Sequence, residues 1–221
     1  MKKSIIIPAC NEEKSISEVI GRVKKVCPPE DEIIVVDDGS RDNTGKIAKK
    51  MGVRVLRHKT NKGKAIALRT GFKYAKNNII VTIDADCTYP PEEIPNLVKN
   101  LEGCDLVVGS RFKKGIPKGI PMMRGIANIL GALFASLVLF RRITDVTSGM
   151  RAFRKGVVKA CRIRAKGLDF EAEFTSRAIA MGFRYREVPI SFEERKGRSK
   201  LKFLRDIVKF SIAILRGRFG N

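Results

Sequence analysis

The sequence predicts an α/β fold, a mostly parallel sheet covered by helices on both faces. Three observations carry that expectation. Short apolar runs recur through the first half, among them "KSIIIPA" (3–9), "DEIIVVDD" (31–38), "NIIVTID" (78–84) and "CDLVVGSR" (104–111). They are near-continuously apolar rather than alternating, the pattern of strands buried on both faces. Helix-length amphipathic segments separate them, the βα rhythm of a parallel sheet.

The elements follow in order. After the first strand, "NEEKSISEVIGRVKKV" (11–26) reads as a helix, with Asn11 placed as N-cap and acids in the first turn. The segment "GSRDNTGKIAKKMG" (39–52) reads as a turn and a helix capped by Asp42. "VRVLRH" (53–58) is a strand and "NKGKAIALRTGFKYAK" (61–76) a helix. "PPEEIPNLVKNLEG" (90–103) is a helix whose start is set by its prolines. Beyond 112 the rhythm breaks. A Gly/Pro/Lys loop (113–121) leads into an apolar helix, "GIANILGALFASLVLF" (125–140). A short strand near 149–154, helices near 155–162 and 169–181, a strand over 183–192 and a last helix over about 200–216 complete the chain. No spacer separates independent domains.

The 221 residues carry 45 Lys+Arg and 23 Asp+Glu, a net charge of +22. The excess is uneven: residues 1–100 have a net of +6 and residues 101–221 a net of +16. The second half therefore suits an anionic partner. A nucleic-acid binder would need stacking aromatics or a reading helix, and the chain has no Trp and three Tyr. The five cysteines form no CxxC pair and are odd in number, which favours a reducing compartment over a disulfide or zinc framework. The N-terminal apolar run is too short for a signal peptide. No uncharged run reaches the ~20 residues of a spanning helix. The 125–140 segment suits a buried, re-entrant or interfacial helix instead.

Two strands end in paired acids, "IIVVDDGS" (33–40) and "IIVTIDAD" (79–86). Ligands of open parallel sheets bind beyond the carboxyl ends of the strands. Four carboxylates along one edge are costly unless a cation neutralises them. Asp84 and Asp86, one residue apart, suit Mg²⁺ or Mn²⁺ bridging a diphosphate. Helix capping explains Asp42 but not these two, because Pro90 and Pro91 already place the next helix.

Taken in order, "IIIPACNEE", "IIVVDDGSRDNT", "NKGKAIALRTGF", "IDAD", "VVGSR", "DVTSGMRAF" and "EVPISFEERKGRSK" resemble a family 2 glycosyltransferase of GT-A, Rossmann-like fold. The branch is that of the dolichyl-phosphate mannosyltransferases and polyprenyl-phosphate glycosyltransferases. The resemblance implies an inverting, metal-dependent transfer from GDP-mannose or a UDP-hexose to a polyprenyl or dolichyl phosphate. It implies a catalytic domain over 1–200, with a nucleotide-sugar half (1–111) and an acceptor half (112–200), and an amphipathic helix over 201–221. Pro8, Glu12, Asp38 and Asp84 would line the donor, and Asp86 would hold the metal with Asp84. Thr88 stands where the mannosyltransferases carry a metal-binding Gln, and Cys10 where an aromatic usually stands. Lys64 either faces the donor or is a solvated helix-start lysine. Arg111 and Arg124 correspond to acceptor-phosphate positions, and Arg195, Arg198, Ser199 and Lys200 form a basic loop that could close over the phosphates. Asp145 either orients the acceptor side or, in a rival reading with a glycan hydroxyl as acceptor, is the general base. Glu171 and Glu173 are candidate sugar contacts, Glu173 alternatively a buried partner of an arginine.

The last helix carries an apolar stripe (Leu201, Leu204, Val208, Ile212, Leu215), with Lys202, Arg205, Asp206, Lys209 and Arg216 on the other side. Such a helix can lie in an anionic membrane surface or cover the core. The expected location is cytoplasmic and peripheral, on the inner face of the cell membrane. Many relatives carry transmembrane helices after the catalytic domain; none is expected here.

Overall fold

The computed structural model describes residues 2–194 and 203–220. Seven strands form one sheet in the order β3-β2-β1-β4-β6-β5-β7. These are β1 Lys3–Ala9, β2 Glu32–Asp37, β3 Arg54–Arg57, β4 Ile79–Thr82, β5 Leu106–Ser110, β6 Arg151–Arg154 and β7 Tyr185–Pro189. All pairings are parallel except those of β6, which runs antiparallel between β4 and β5. A strand from the second half thus completes the sheet of the first.

The pleat explains the continuous apolar runs. Ile5 and Ile7 point into one core with α1 (Ile16–Val26), α2 (Thr44–Lys50) and α4 (Ile94–Lys99). Ile6 points to the opposite face, against α3 (Lys64–Tyr74). That second core also holds α5 (Met122–Leu139), α6 (Lys155–Cys161), α7 (Phe170–Ala180) and α8 (Phe203–Phe219). Each of these isoleucines is fully buried, worth roughly 1.5–3 kcal/mol apiece. Phe72, Phe153, Phe170 and Phe174 join α3, β6 and α7 through ring contacts of 5.0–5.9 Å. None of the five cysteines is in a disulfide.

Two sequence expectations change. Asn11 is not a helix cap, since α1 begins only at Ile16. Asn11 instead has a left-handed φ of 55°, and its side-chain oxygen accepts the Arg41 N–H at 2.8 Å. It ties the loop after β1 to the loop after β2. The last helix, which the sequence left open to membrane or core, does not keep its basic side clear of the core. Ala213 and Ile214 are buried in the core, and a Cβ at Gly217 would lie 2.5 Å from Ser176 of α7. Arg216 turns inward to the buried Glu173, at 3.2 Å. Val208, Ile212, Leu215 and Phe219 remain exposed on the other face. The helix covers the core and presents an apolar face at once.

Candidate active site

The carboxyl ends of β1, β2 and β4 open into one cavity of about 690 Å³. Pro8, Glu12, Asp38, Lys64, Asp84, Asp86 and Thr88 line it on the sheet side, and Arg111 and Arg124 on the side of α5. Residues nominated separately from the sequence are therefore neighbours in space.

Asp38 follows β2 and organises the loop before α3. Its carboxylate accepts the Lys62 N–H at 2.9 Å and the Gly63 N–H at 2.8 Å. His58 Nδ1 lies 2.7 Å from the same group, with Nε2 2.9 Å from the Thr70 hydroxyl. The ring thus bridges Asp38 and Thr70 across the loop before α3. Gly63 adopts φ 98°, a conformation that favours glycine. Asp38 lines the cavity while building its wall.

Lys64 is the first residue of α3, and it is not solvated. Its ammonium sits 2.6 Å from Asp84 and 2.8 Å from Glu171. Burial would lower its pKa, but the two carboxylates outweigh that and hold it above the ordinary lysine range. Asp84 also packs on backbone. A Cβ at Gly149 would lie 2.7 and 2.9 Å from its two oxygens. Asp86 is oriented by Thr88, whose hydroxyl donates at 2.6 Å and whose N–H donates at 3.1 Å. Cys87, between them, takes a left-handed φ of 66° to close this turn. The Thr88 hydroxyl proton is thus directed at Asp86, which ties the two residues into one turn. Among the described residues no cluster of three or more His, Cys, Asp or Glu is arranged for a metal.

Asp145 is set against Arg111 rather than toward the cavity. It is fully buried and grips Arg111: Nε donates at 2.7 Å, Nη2 at 2.8 Å and the backbone N–H at 3.1 Å. A carboxylate engaged on both oxygens by one guanidinium positions that guanidinium, and Asp145 is not among the residues lining the cavity. Arg111 also donates to Thr147 at 3.0 Å and lies over the Tyr89 ring, 5.7 Å from its centroid. The Tyr89 hydroxyl in turn accepts the Gly149 N–H at 2.9 Å. The buried Arg151 of β6 holds the loop from beneath, donating to the carbonyls of Ser148, Val146 and Glu171. Arg124 is exposed near the start of α5 and forms no ion pair among the described residues. Arg195, Arg198, Ser199 and Lys200 lie outside the described residues.

The sequence reading passed over Tyr89, Thr147 and Asn128. The Thr147 hydroxyl donates to Asn128 of α5 at 2.9 Å, and both line the cavity. The available signal was Asn128 itself, an amide inside an apolar run. Next to the cavity, α5 exposes Leu130, Leu133, Leu137 and Met123, with Leu137 at 75%. Its 18 residues have a mean hydropathy of 1.7, long and apolar enough to cross a membrane by length and composition. One side of the helix nevertheless packs against α7 and α8.

Comparison with known proteins agrees with this geometry. The family model "Glycosyl transferase family 2" matches residues 4–162. The undecaprenyl-phosphate mannosyltransferase of Micrococcus luteus is 35% identical, over 91% of this chain and 88% of its own. The polyprenol monophosphomannose synthase of Mycolicibacterium smegmatis is 36% identical, over 89% and 80%. A solved structure of glucosyl-3-phosphoglycerate synthase from Mycobacterium tuberculosis, in complex with Mn²⁺ and UDP-glucose, superposes with a TM-score of 0.77 at 26% identity, over 98% of this chain and 78% of that one. The matched range covers most of the sheet and both acidic strand ends, and the chain belongs to glycosyl transferase family 2.

Proposed function

We propose that the enzyme transfers a hexosyl group, with inversion, from a nucleotide-sugar to the phosphate of a polyprenyl or dolichyl lipid at a membrane surface. The observation that carries this reading is the single cavity joining Asp84 and Asp86 to Arg111 and Arg124, bounded farther on by α5 and α8. Donor and acceptor phosphates then meet walls of opposite charge. The names of the M. luteus and M. smegmatis relatives support the lipid phosphate. GDP-mannose and UDP-hexoses are both compatible donors.

A divalent cation fits the acidic wall. Mg²⁺ and Mn²⁺ take one or two carboxylates and complete their shells with water and substrate phosphate, so a pair such as Asp84 and Asp86 suffices without a third protein ligand. The solved relative with Mn²⁺ and UDP-glucose supports this. When bound, the cation would neutralise charge on the departing diphosphate. The chain's own residues do the rest. Lys64 and Asp84 fix the donor end, with Thr88 orienting Asp86. Arg111 and Arg124 hold the acceptor phosphate in line with the anomeric carbon. A phosphate oxygen attacks that carbon, and its bond to the nucleoside diphosphate breaks with the electron pair leaving on the diphosphate. No proton moves, so no base is needed, in accord with the burial of Asp145 against Arg111.

The exposed apolar faces of α5 and α8, with the +16 charge of the second half, support a peripheral seat on an anionic membrane, on the cytoplasmic side. The test is a panel of GDP-mannose, UDP-glucose and UDP-N-acetylglucosamine with polyprenyl phosphate and Mg²⁺ or Mn²⁺, scored as label in extracted lipid. Transfer from one donor that chelator abolishes is expected. No transfer from any donor would refute the acceptor assignment, and transfer in excess chelator the metal.

A further inference from the structure

We propose that Glu187, on the edge strand β7 and outside the cavity, is a positioning residue for the acceptor phosphate, acting through Thr144 and Asp145 on Arg111. The proposal rests on the reading of Arg111 as an acceptor-phosphate ligand.

The Glu187 carboxylate is buried and faces a ring of donors. The Thr144 N–H lies 3.0 Å from both oxygens. The Thr144 hydroxyl donates to Oε2 at 2.6 Å, the Asp145 N–H to Oε1 at 3.2 Å and the Tyr185 hydroxyl to Oε1 at 2.7 Å. Because the Thr144 proton is on Glu187, the Ser110 hydroxyl, 2.6 Å away, donates to the Thr144 oxygen. No cation pairs with the Glu187 carboxylate among the described residues. Burying a carboxylate against neutral donors is costly unless every bond is kept. It is placed where it clamps the backbone of residues 144 and 145. Asp145 is then held at its backbone by Glu187 and at its side chain by Arg111. The guanidinium has its direction set from β7 across the Thr144–Asp145 turn. A neutral amide at 187 cannot copy this, because its NH₂ would meet a donor.

The experiment is a double-mutant cycle. Glu187→Gln, Arg111→Ala and the double variant are assayed for lipid-phosphate KM, donor KM and kcat, with thermal melts as a folding control. Glu187→Gln is expected to raise the lipid-phosphate KM about tenfold, the lower end for a bond to a charged group, while donor KM stays unchanged. In the Arg111→Ala background it should add nothing further. The proposal is overturned if the two effects multiply independently, or if Arg111→Ala raises acceptor KM and Glu187→Gln does not. If Arg111→Ala itself leaves acceptor KM unchanged, the phosphate reading of Arg111 fails first and this proposal with it. If Glu187→Gln does not fold, Thr144→Val removes the hydroxyl link and keeps the backbone N–H. A smaller rise in acceptor KM alone is then expected, and a folded Thr144→Val with wild-type KM counts against the idea.

Discussion

Replacing Lys64 by Met isolates the charge balance of the acidic wall of the cavity. The ammonium bridges Asp84 at 2.6 Å and Glu171 at 2.8 Å. The lysine side chain is 17% exposed, Asp84 23% and Glu171 3%. Removing one partner of a buried pair costs about 3–5 kcal/mol, because the other charge is left uncompensated. Here two carboxylates are left, facing each other. Water reaches Asp84 and screens part of the repulsion, which favours the lower end, about 3 kcal/mol. For a chain of this size each kcal/mol moves Tm by about 2–4 °C. Metal-free Lys64→Met should therefore melt about 6–12 °C below the wild type. Mn²⁺ should narrow that gap, since a cation at Asp84 replaces the missing charge, while turnover stays low because Asp84 is no longer held in place. The assay is calorimetry with and without Mn²⁺, beside the transfer assay. A variant that melts with the wild type would refute the bridge. An identical Mn²⁺ shift in both proteins would show that lysine and cation do not share Asp84.

Three further outcomes follow from the geometry. Gly149→Ala places a methyl 2.7 Å from an Asp84 oxygen, so donor KM should rise severalfold in a folded protein; unchanged donor kinetics would mean that Asp84 does not contact the donor. Burial pushes the Cys27 thiol up to about 11 and Cys161 up to about 12, and Cys87 and Cys104 are buried. At pH 8 a thiol reagent should label Cys10 first, and a nucleoside diphosphate with Mn²⁺ should protect it; labelling at equal rates would remove Cys10 from the donor site. The pair Leu133→Glu and Leu137→Glu lies on the exposed face of α5, so it should abolish binding to anionic vesicles without lowering Tm; vesicle binding as strong as the wild type's would place the membrane contact elsewhere.

Local patterns carried much of this protein. The strands announced themselves as apolar runs, because burial on both faces leaves few positions for polar groups. The acidic strand ends marked one wall of the cavity, because a parallel sheet places those ends together whatever the details of packing. The family motifs marked Arg111 and Arg124 in the same way.

What the sequence alone determined was which residue types stand at the ends of strands, since this depends only on order along the chain. Partnership between distant residues was decided by the tertiary structure. Asp145 and Arg111 are 34 positions apart, and only the antiparallel insertion of β6 between β4 and β5 brings the loop before β6 beneath the end of β5. That insertion sets Asp145 against Arg111, a pairing that spacing along the chain does not show. Lys64 looked like a helix-start lysine until α7 placed Glu171 beside it. The last helix was ambiguous because an apolar face is equally suited to protein and to lipid. Packing against α5 and α7 consumed one side of it and left the other exposed, because a helix surface is larger than the single seam its neighbours can cover.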